Sequence, residues 1–240
     1  MAREVGSVPK GSTVLTTIGL PLALWGQGYA EFLPRWWKGV LSLERKPDEV
    51  VIVTDRANQA QVLATTPETN IPTSVFVVEA DDYSVFWNEA ISKCDTEWVA
   101  ICNADDQFLP QALNEIDAAE AEGCNLVCDW IQDKDTNELH ASAWNQDSIG
   151  SHWTMLGAEP MKKSLWQAAG GFRHGYLFAD WQLAMYMAKT GQVKAYHAQT
   201  VRIIYDRGQT RKTLSGVLQD HNIKAEAYQK LRALAEELQL

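Results

Sequence analysis

The feature that most constrains the fold of this chain is an alternation of short apolar runs with helical segments in its first half. The apolar runs are rich in β-branched residues and have the length of buried strands. Predicted strands cover residues 13–18, 50–53, 73–78, 98–102 and 124–131. Predicted helices cover residues 32–43, 85–91 and 110–122. This order of elements predicts an α/β fold with a mostly parallel central sheet.

The second half of the chain departs from this pattern. A polar hairpin is predicted at 133–145, short helices at 165–169 and 180–189, and strands at 193–197 and 201–205. Apolar residues at three- and four-residue spacing over 214–238 predict an amphipathic terminal helix. That helix packs on its own domain or mediates self-association, and the sequence leaves both alternatives open. With 240 residues, 46% of them hydrophobic, we expect one domain.

Charge argues against two classes of partner. The 21 basic and 31 acidic side chains give a net charge of −10, which disfavours generic binding to nucleic acids or anionic membranes. Residues 162–212 differ, because nine basic residues stand against two acidic ones and give a net charge of +7. This stretch is either a solvated surface or a site for an anion such as a phosphate.

The sequence carries no targeting or crosslinking signal that we can identify. No apolar run reaches the roughly 18 residues of a membrane span, and residues 1–11 lack the features of a secretory signal. The four cysteines lack paired metal-binding spacing and are too few for a disulfide scaffold. We therefore expect free thiols and a cytoplasmic protein.

Common catalytic and phosphate-binding motifs do not match. Gly26 and Gly28 are followed by Glu31 where a dinucleotide fingerprint needs a small residue, and a glutamate would repel a pyrophosphate. The spacing of Gly6 and Gly11 matches that of a P-loop, but Ser12 stands in the place of the lysine. The serine hydrolase elbow and the zinc protease motif do not occur.

Acidic residues follow two of the predicted strands. Asp55 follows the second, the sequence Asn103-Ala104-Asp105-Asp106 follows the fourth, and Asp180 begins a later helix. Open α/β sheets bind ligands at the carboxyl ends of their strands. These carboxylates are therefore candidates for ligand or metal contact, with ordinary strand-end turns as the alternative.

In the order and spacing of these motifs the sequence resembles the GT-A glycosyltransferases, family 2 type in particular. The counterparts are the first strand through Gly19 and the second strand with Asp55. Residues 103–106 stand at the place of the family's Asp-x-Asp motif, and Ala179-Asp180 at that of its Glu-Asp pair. Gly-Gly-Phe at 170–172 also matches, and Asn88 resembles the asparagine of an Asn-x-x-Ile motif. The resemblance covers about residues 13–205. It implies a nucleotide-sugar-binding half (13–131), an acceptor-binding half (132–212) and a terminal helix (213–240).

Several positions depart from the family pattern. Asn103 replaces the first Asp of Asp-x-Asp, Trp87 replaces an Arg, and Ala179 replaces the Glu of Glu-Asp. An asparagine offers a neutral carbonyl where an aspartate offers a charge. The losses keep open a catalytically inactive module that binds nucleotide sugars. A nucleotidyltransferase is a further alternative, although its basic glycine-rich loop is not evident.

The resemblance implies an inverting, metal-dependent transfer of a sugar from a nucleotide diphosphate, such as a UDP-sugar, to a hydroxyl acceptor. Mn²⁺ or Mg²⁺ would be held by Asp105, with His197 as a second ligand, and Asp180 would be the general base or, alternatively, a helix N-cap. The predicted donor-binding residues are Thr17, Gly19, Asp55, Asn88, Asn103, Asp105 and Asp106. The basic stretch favours an anionic acceptor, either nucleic acid with hydroxymethylated bases or a phosphate-containing glycan.

Overall fold

The computed structural model describes residues 16–26, 28–151, 159–206 and 221–240. The strands are β1 (Ile18–Leu24), β2 (Glu49–Thr54), β3 (Thr73–Val77), β4 (Trp98–Val99), β5 (Gln107–Phe108), β6 (Leu126–Asp133), β7 (Leu139–Ala141), β8 (Met161–Lys162) and β9 (Ala195–Tyr205). The helices are α1 (Leu33–Ser42), α2 (Gln59–Thr65), α3 (Tyr83–Lys93), α4 (Ile116–Ala121), α5 (Lys163–Ala169), α6 (Ala179–Thr190) and α7 (His221–Leu238).

All nine of these strands form one sheet. Its order is β3-β2-β1-β4-β8-β6-β9-β5, with β7 paired to β6. The strands β1 to β4 run parallel to one another, as do β6 and β9, while β5, β7 and β8 run antiparallel to their neighbours. The predicted α/β class is therefore correct, and β1, β2, β4, β6 and β9 end at one edge of the sheet. We call this edge the carboxyl edge.

The first strand lies further along the chain than the sequence predicts. The expectation that it ends at Ile18 is wrong, because β1 runs to Leu24 and contains Gly19 and Pro21. The carbonyl of Gly19 accepts from an N–H of the β4 segment, whereas that of Leu24 accepts from the β2 side. The nitrogen of Pro21, which carries no hydrogen, therefore faces the β4 side of the strand. The pairing of β1 with β4 has already ended at Gly19, so no donor is needed there. The sheet loses no hydrogen bond there.

Three other elements differ from prediction for local reasons. β4 ends at Val99 because the next carbonyls accept from side chains: Ile101 from Arg202 Nη1 (2.9 Å) and Cys102 from Trp36 Nε1 (3.1 Å). Residues 110–115 form successive three-residue turns, so α4 is shorter than predicted. The two predicted late strands are one, since β9 continues through irregular pairing with β6.

Helices cover both faces of the sheet. The buried side chains of α1, α2 and α4 pack on one face, and those of α3, α5, α6 and α7 pack on the other. The terminal helix buries Leu231, Leu234 and Leu238 in the second core, so its apolar stripe is covered by its own chain. Residues 214–220 of the predicted helix lie outside the described residues. Within the described part of the chain, we find no helix both long and apolar enough to span a bilayer.

Candidate active site

The segment between β4 and β5 places two carboxylates at the carboxyl edge. Asp105 and Asp106 are both buried there. The Asp106 carboxylate is fixed at both oxygens, because Oδ1 accepts from the Asp206 N–H (3.0 Å) and Oδ2 accepts from Asn103 Nδ2 (3.2 Å). Asp105 keeps about a tenth of its surface exposed, and its main-chain carbonyl accepts from Arg35.

Both carboxyls hold protons more tightly than ordinary aspartates. Burial raises the pKa of Asp106, and the adjacent Asp105 charge raises it further. Burial also raises the pKa of Asp105, and the charge of Asp206 adds to this effect. Such a pair favours a cation or a proton close by, because two buried negative charges destabilise each other.

Residues that the sequence analysis missed complete this edge. Asp206 follows β9 and accepts from Arg35 Nη1 of α1 (2.9 Å) and from Lys134 Nζ of the β6–β7 hairpin (2.8 Å). An aspartate directly after an apolar strand is the same signal that identified Asp55, so Asp206 was detectable from sequence. Arg35 and Lys134 carry no such signal, because only the fold brings their charges to this edge.

Asp55 lies at the ends of β1 and β2. Its Oδ2 accepts from the Gly26 N–H (2.9 Å), and its Oδ1 accepts from the N–H (2.8 Å) and Nδ2 (2.9 Å) of Asn58. Asn58 also donates to the Gly26 carbonyl (2.8 Å). The carboxylate therefore fixes the loop after β1. Since a carboxylate has about four acceptor sites, roughly one remains for a ligand.

Asp180 lies in the first turn of α6, a second region of the site. The helix begins at Ala179, and its N-cap is Phe178, so the alternative role of Asp180 as N-cap is wrong. The side chain is partly buried. Burial raises the pKa of Asp180 to about 7, and the charge of Glu159 contributes to this rise. The hydrogen bond that the Trp181 N–H donates to the carboxylate (2.9 Å) acts in the opposite direction and lowers the pKa. At neutral pH this carboxyl can therefore accept a proton and also hold one.

A buried ion pair lies between the two regions. Arg202 of β9 donates through Nε to Asp129 of β6, and through Nη1 to the carbonyl of Ile101, two residues before Asn103. Burial raises the pKa of Asp129 to about 7, although the charge of Arg202 lowers it. Glu159, itself buried, raises the pKa of both Asp129 and Asp180. Buried charges therefore connect the carboxyl edge with α6.

Asn88 holds the backbone before α6 through both of its polar atoms. Its Nδ2 donates to the Phe172 carbonyl (2.8 Å), and its Oδ1 accepts from the Phe172 N–H (2.9 Å). Gly171 has a φ of 72°, and a Cβ there would lie 2.6 Å from Asn88 Oδ1. The Gly-Gly-Phe sequence is therefore a turn clamped to α3, and the contact of Asn88 with the donor stays a prediction.

Thr17 and Gly19 lie at the opposite edge of the sheet from Asp105. Thr17 precedes β1 and its Oγ1 accepts from the Glu97 N–H (3.0 Å), and Gly19 is the second residue of the strand. Their predicted contact with the donor assumed that β1 ends near Gly19. With β1 running to Leu24, that assignment is wrong, and Gly26 occupies the expected position.

His197 is separated from Asp105. It is exposed near the start of β9, nine residues before Asp206. This span of β9 is bulged: His197 lies opposite Cys128 and Tyr205 opposite Asp133, which are only five residues apart in β6. At about 3.3 Å per residue, the two ends of the span therefore lie about 17 Å apart. Because Asp206 contacts Asp106, His197 cannot share a metal ion with Asp105, and that part of the prediction is wrong. Within the described ranges no three acidic, cysteine or histidine side chains are grouped to hold a metal.

The described part of the basic stretch does not form one surface. Arg202 is buried against Asp129, and Lys162 pairs with Glu97 and Glu120 at the other edge of the sheet. Arg207, Arg211 and Lys212 lie outside the described residues. The anionic acceptor inferred from the whole stretch stays a prediction.

Solved structures share this architecture. Staphylococcus aureus TarS 1–349 matches with a TM-score of 0.63 and 11% identity, over 80% of this chain and 61% of that one. Its complex with UDP-GlcNAc matches equally well over 79% and 58%. The mannosyltransferase PcManGT from Pyrobaculum calidifontis, solved with GDP-Man and Mn²⁺, matches with a TM-score of 0.56 and 14% identity, over 80% and 58%. The chain spans about 60% of each and has their fold, an α/β domain of the GT-A type.

Sequence comparison identifies the family directly. The model of glycosyl transferase family 2 matches residues 28–179, more than half of the chain. The chain belongs to glycosyl transferase family 2, a family of nucleotide-sugar-dependent glycosyltransferases. No curated protein sequence matches it.

Proposed function

We propose that this protein is an inverting glycosyltransferase that moves a sugar from a UDP-sugar to an acceptor hydroxyl. The observation that carries the proposal is Asp180, a partly buried carboxyl in the first turn of α6 with a pKa raised to about 7. A general base works best when its pKa lies near the working pH. An inactive binding module has no need of a carboxyl held in this way.

In the proposed reaction Asp180 accepts the proton of the acceptor hydroxyl. The acceptor oxygen forms a bond to the anomeric carbon of the sugar, on the face opposite the diphosphate. The bond between that carbon and the diphosphate oxygen breaks, and the diphosphate leaves with the electron pair. Attack from the opposite face inverts the anomeric configuration.

The carboxyl edge fits a divalent cation. Asp105 is the residue that would hold Mn²⁺ or Mg²⁺, because it keeps some exposed surface, whereas Asp106 is fully buried and hydrogen-bonded to its neighbours. These metals bind through one or two protein carboxylates together with substrate phosphates, so a group of three protein ligands is not required. When bound, the cation neutralises charge that develops on the leaving diphosphate. Asn103 and Asp206 support the site by fixing Asp106.

The donor is proposed to lie along the carboxyl edge between Asp55 and Asp105. Asp55 fixes the loop at Gly26 and keeps roughly one acceptor site for the base or ribose. The TarS complexes with UDP and UDP-GlcNAc support a uridine nucleotide as the donor. Because PcManGT was solved with GDP-Man, a guanosine nucleotide is the alternative donor to test beside it. The acceptor is a hydroxyl compound, and the anionic acceptor that the basic stretch favours remains a candidate.

The test compares wild type with Asp180→Asn. Donor binding is measured as thermal stabilisation by UDP-GlcNAc, with GDP-mannose as comparison, each with and without Mn²⁺. Transfer is measured as UDP release in the presence of candidate hydroxyl acceptors. We expect Asp180→Asn to bind donor within about threefold of wild type and to lose at least about 100-fold in turnover.

Asp147→Asn is the matched control, because Asp147 is exposed. It should leave both readouts unchanged. Full turnover in Asp180→Asn would contradict the assignment of the base. Metal-dependent donor binding without any turnover in wild type would favour the inactive binding module.

A further inference from the structure

The terminal helix α7 contacts the turn that carries Asp180. Tyr228 of α7 packs against Phe178 with ring centroids 5.1 Å apart, and against Trp181 with centroids 5.9 Å apart. Phe178 and Trp181 stand on either side of Ala179 and Asp180 in sequence. One aromatic ring from outside the family-matched region therefore spans both ends of the first turn of α6.

A second α7 side chain holds the loop before that turn. Lys230 Nζ donates to the Gly175 carbonyl (2.7 Å) and lies 4.3 Å from the centroid of the Tyr176 ring. Gly175 has a φ of 75°, a left-handed conformation that favours glycine. The contact therefore fixes a flexible residue type five positions before Asp180.

The same loop is held from the opposite side by α3. The Gly175 N–H donates to Asp82 Oδ2 (2.8 Å), and the Ala179 N–H donates to the Tyr83 hydroxyl (3.3 Å), which lies 3.1 Å from the Tyr176 carbonyl. Since no side chain at the N-cap of α6 bonds its first turn, Tyr83 satisfies one of the free amides there. The turn with Asp180 is thus clamped between α3 and α7.

We propose that Tyr228 and Lys230 are positioning residues for Asp180, so that α7 is a working part of the site rather than only a stabilising element. This inference rests on the proposed function. The Tyr228 ring excludes water from the side of the turn formed by Phe178 and Trp181. Lys230 fixes the position of the loop that leads into the turn, through its hydrogen bond to Gly175. Without them the carboxyl gains solvent and loses a single orientation toward the acceptor.

The groups that face Asp180 come from several elements. Glu159, which precedes β8, and the Trp181 N–H of α6 act on it directly. Tyr83 of α3 lies close enough that the charge of Asp180 raises the pKa of its hydroxyl. From α7, Lys230 is bound to the Gly175 carbonyl. Removing the Tyr228 ring changes none of these charges, so its effect on Asp180 comes through burial.

The experiment compares four α7 variants of the full chain: Tyr228→Ala, Lys230→Met, Gln229→Ala and Leu231→Ala. Gln229 is exposed beside both residues and is the matched control. Leu231 is buried in the core, so its variant reports loss of stability alone. The readouts are the pH profile of kcat/KM well below the melting temperature, and amide hydrogen exchange over 171–182.

We expect Tyr228→Ala and Lys230→Met to lower kcat by about tenfold or more and to speed exchange over 171–182. Tyr228→Ala should also move the acid limb of the profile to lower pH by at least one unit. Tyr228→Phe should restore wild-type values, because the ring makes the contacts. Gln229→Ala and Leu231→Ala should keep the wild-type profile.

Profiles and exchange rates that are the same in Tyr228→Ala, Lys230→Met and Leu231→Ala would overturn the inference. Should Tyr228→Ala fail to fold, wild-type kinetics and exchange in Lys230→Met would also overturn it. Failure of the proposed function is distinguishable, because wild type itself would then release no UDP.

Discussion

Asn88 and Phe172 exchange two hydrogen bonds, one in each direction, across 84 positions of sequence. Asn88→Ala removes both and leaves the Phe172 N–H and carbonyl without these partners. We expect the free energy of unfolding to fall by about 2 kcal/mol, or about 4–8 °C in melting temperature. Turnover should also fall, because the clamped turn leads to Asp180. Ser92→Ala, an exposed change on the same helix, should leave both unchanged in thermal denaturation and activity assays.

Stability without metal should decrease as pH rises. Burial raises the pKa of Asp106 to about 8, whereas in the unfolded chain it is near 3.8. Above about pH 4 the unfolded state therefore binds fewer protons than the folded state, so the free energy of unfolding falls up to about pH 8. Asp106→Asn should remove this loss and stabilise the protein at pH 8 by at least about 1 kcal/mol.

Chemical denaturation in EDTA at pH 5 and pH 8 measures the effect of Asp106→Asn. The gain should be much smaller at pH 5. An equal gain at both pH values would show that ionisation is not its cause, and Asp147→Asn supplies the baseline.

Activity should depend on pH through Asp180. The deprotonated carboxyl is the form that accepts a proton, and its pKa is raised to about 7. We therefore expect log(kcat/KM) to fall with a slope of one below about pH 7 and to level off above it. Initial rates measured from pH 5 to 8.5 test this, and a rate that stays flat down to pH 5 would be incompatible with the assignment.

Arg202 and Asp129 should behave as one unit in unfolding experiments. Arg202→Met leaves Asp129 buried without its cation and should cost about 3–5 kcal/mol. Adding Asp129→Asn removes the uncompensated charge and should recover most of that loss. A double-mutant cycle in denaturant measures the coupling; strictly additive effects would argue that the pair contributes little.

Substitutions at Gly19 and Gly26 should affect different properties, namely the stability of the fold and the affinity for UDP. A Cβ at Gly19 would lie 2.4 Å from Thr96 Oγ1 and 3.1 Å from Cys94 Sγ, so Gly19→Ala should destabilise the fold by about 1–3 kcal/mol. Its affinity for UDP should stay that of wild type. Gly26→Ala introduces a side chain at a φ of 85° beside Asp55 and should weaken UDP binding. Calorimetric titration of both variants distinguishes the two effects.

The sequence predicted those features that depend on local pattern. The β-branched run of β2 and the apolar spacing of α1 are strong periodic signals, and both elements lie within about a residue of prediction. Asp55 and Asp105 lie at the carboxyl edge as expected, because this follows from parallel strand order alone. Gly19 and Pro21 read locally as a strand end, but pairing with β2 and β4 overrides that signal.

The remaining features depend on contacts between distant parts of the chain. Arg35 reaches Asp206 across 171 positions, and no pattern near either residue indicates this. His197 was assigned by analogy with related enzymes, and the length of β9 separates it from Asp105. The sequence also did not predict the contacts from α3 and α7 that hold the turn with Asp180. The pattern of α7 indicates only an amphipathic helix.

The hydrogen bond from the Asp206 N–H to Asp106 has a consequence for biosynthesis. The two residues are 100 positions apart, and the later one follows the last strand of the sheet. While the chain emerges from the ribosome, β1 to β4 can pair early, but the Asp206 N–H that binds Asp106 is absent until β9 is added. The donor edge is therefore completed late, and a chain truncated before β9 would leave Asp106 without its Asp206 partner.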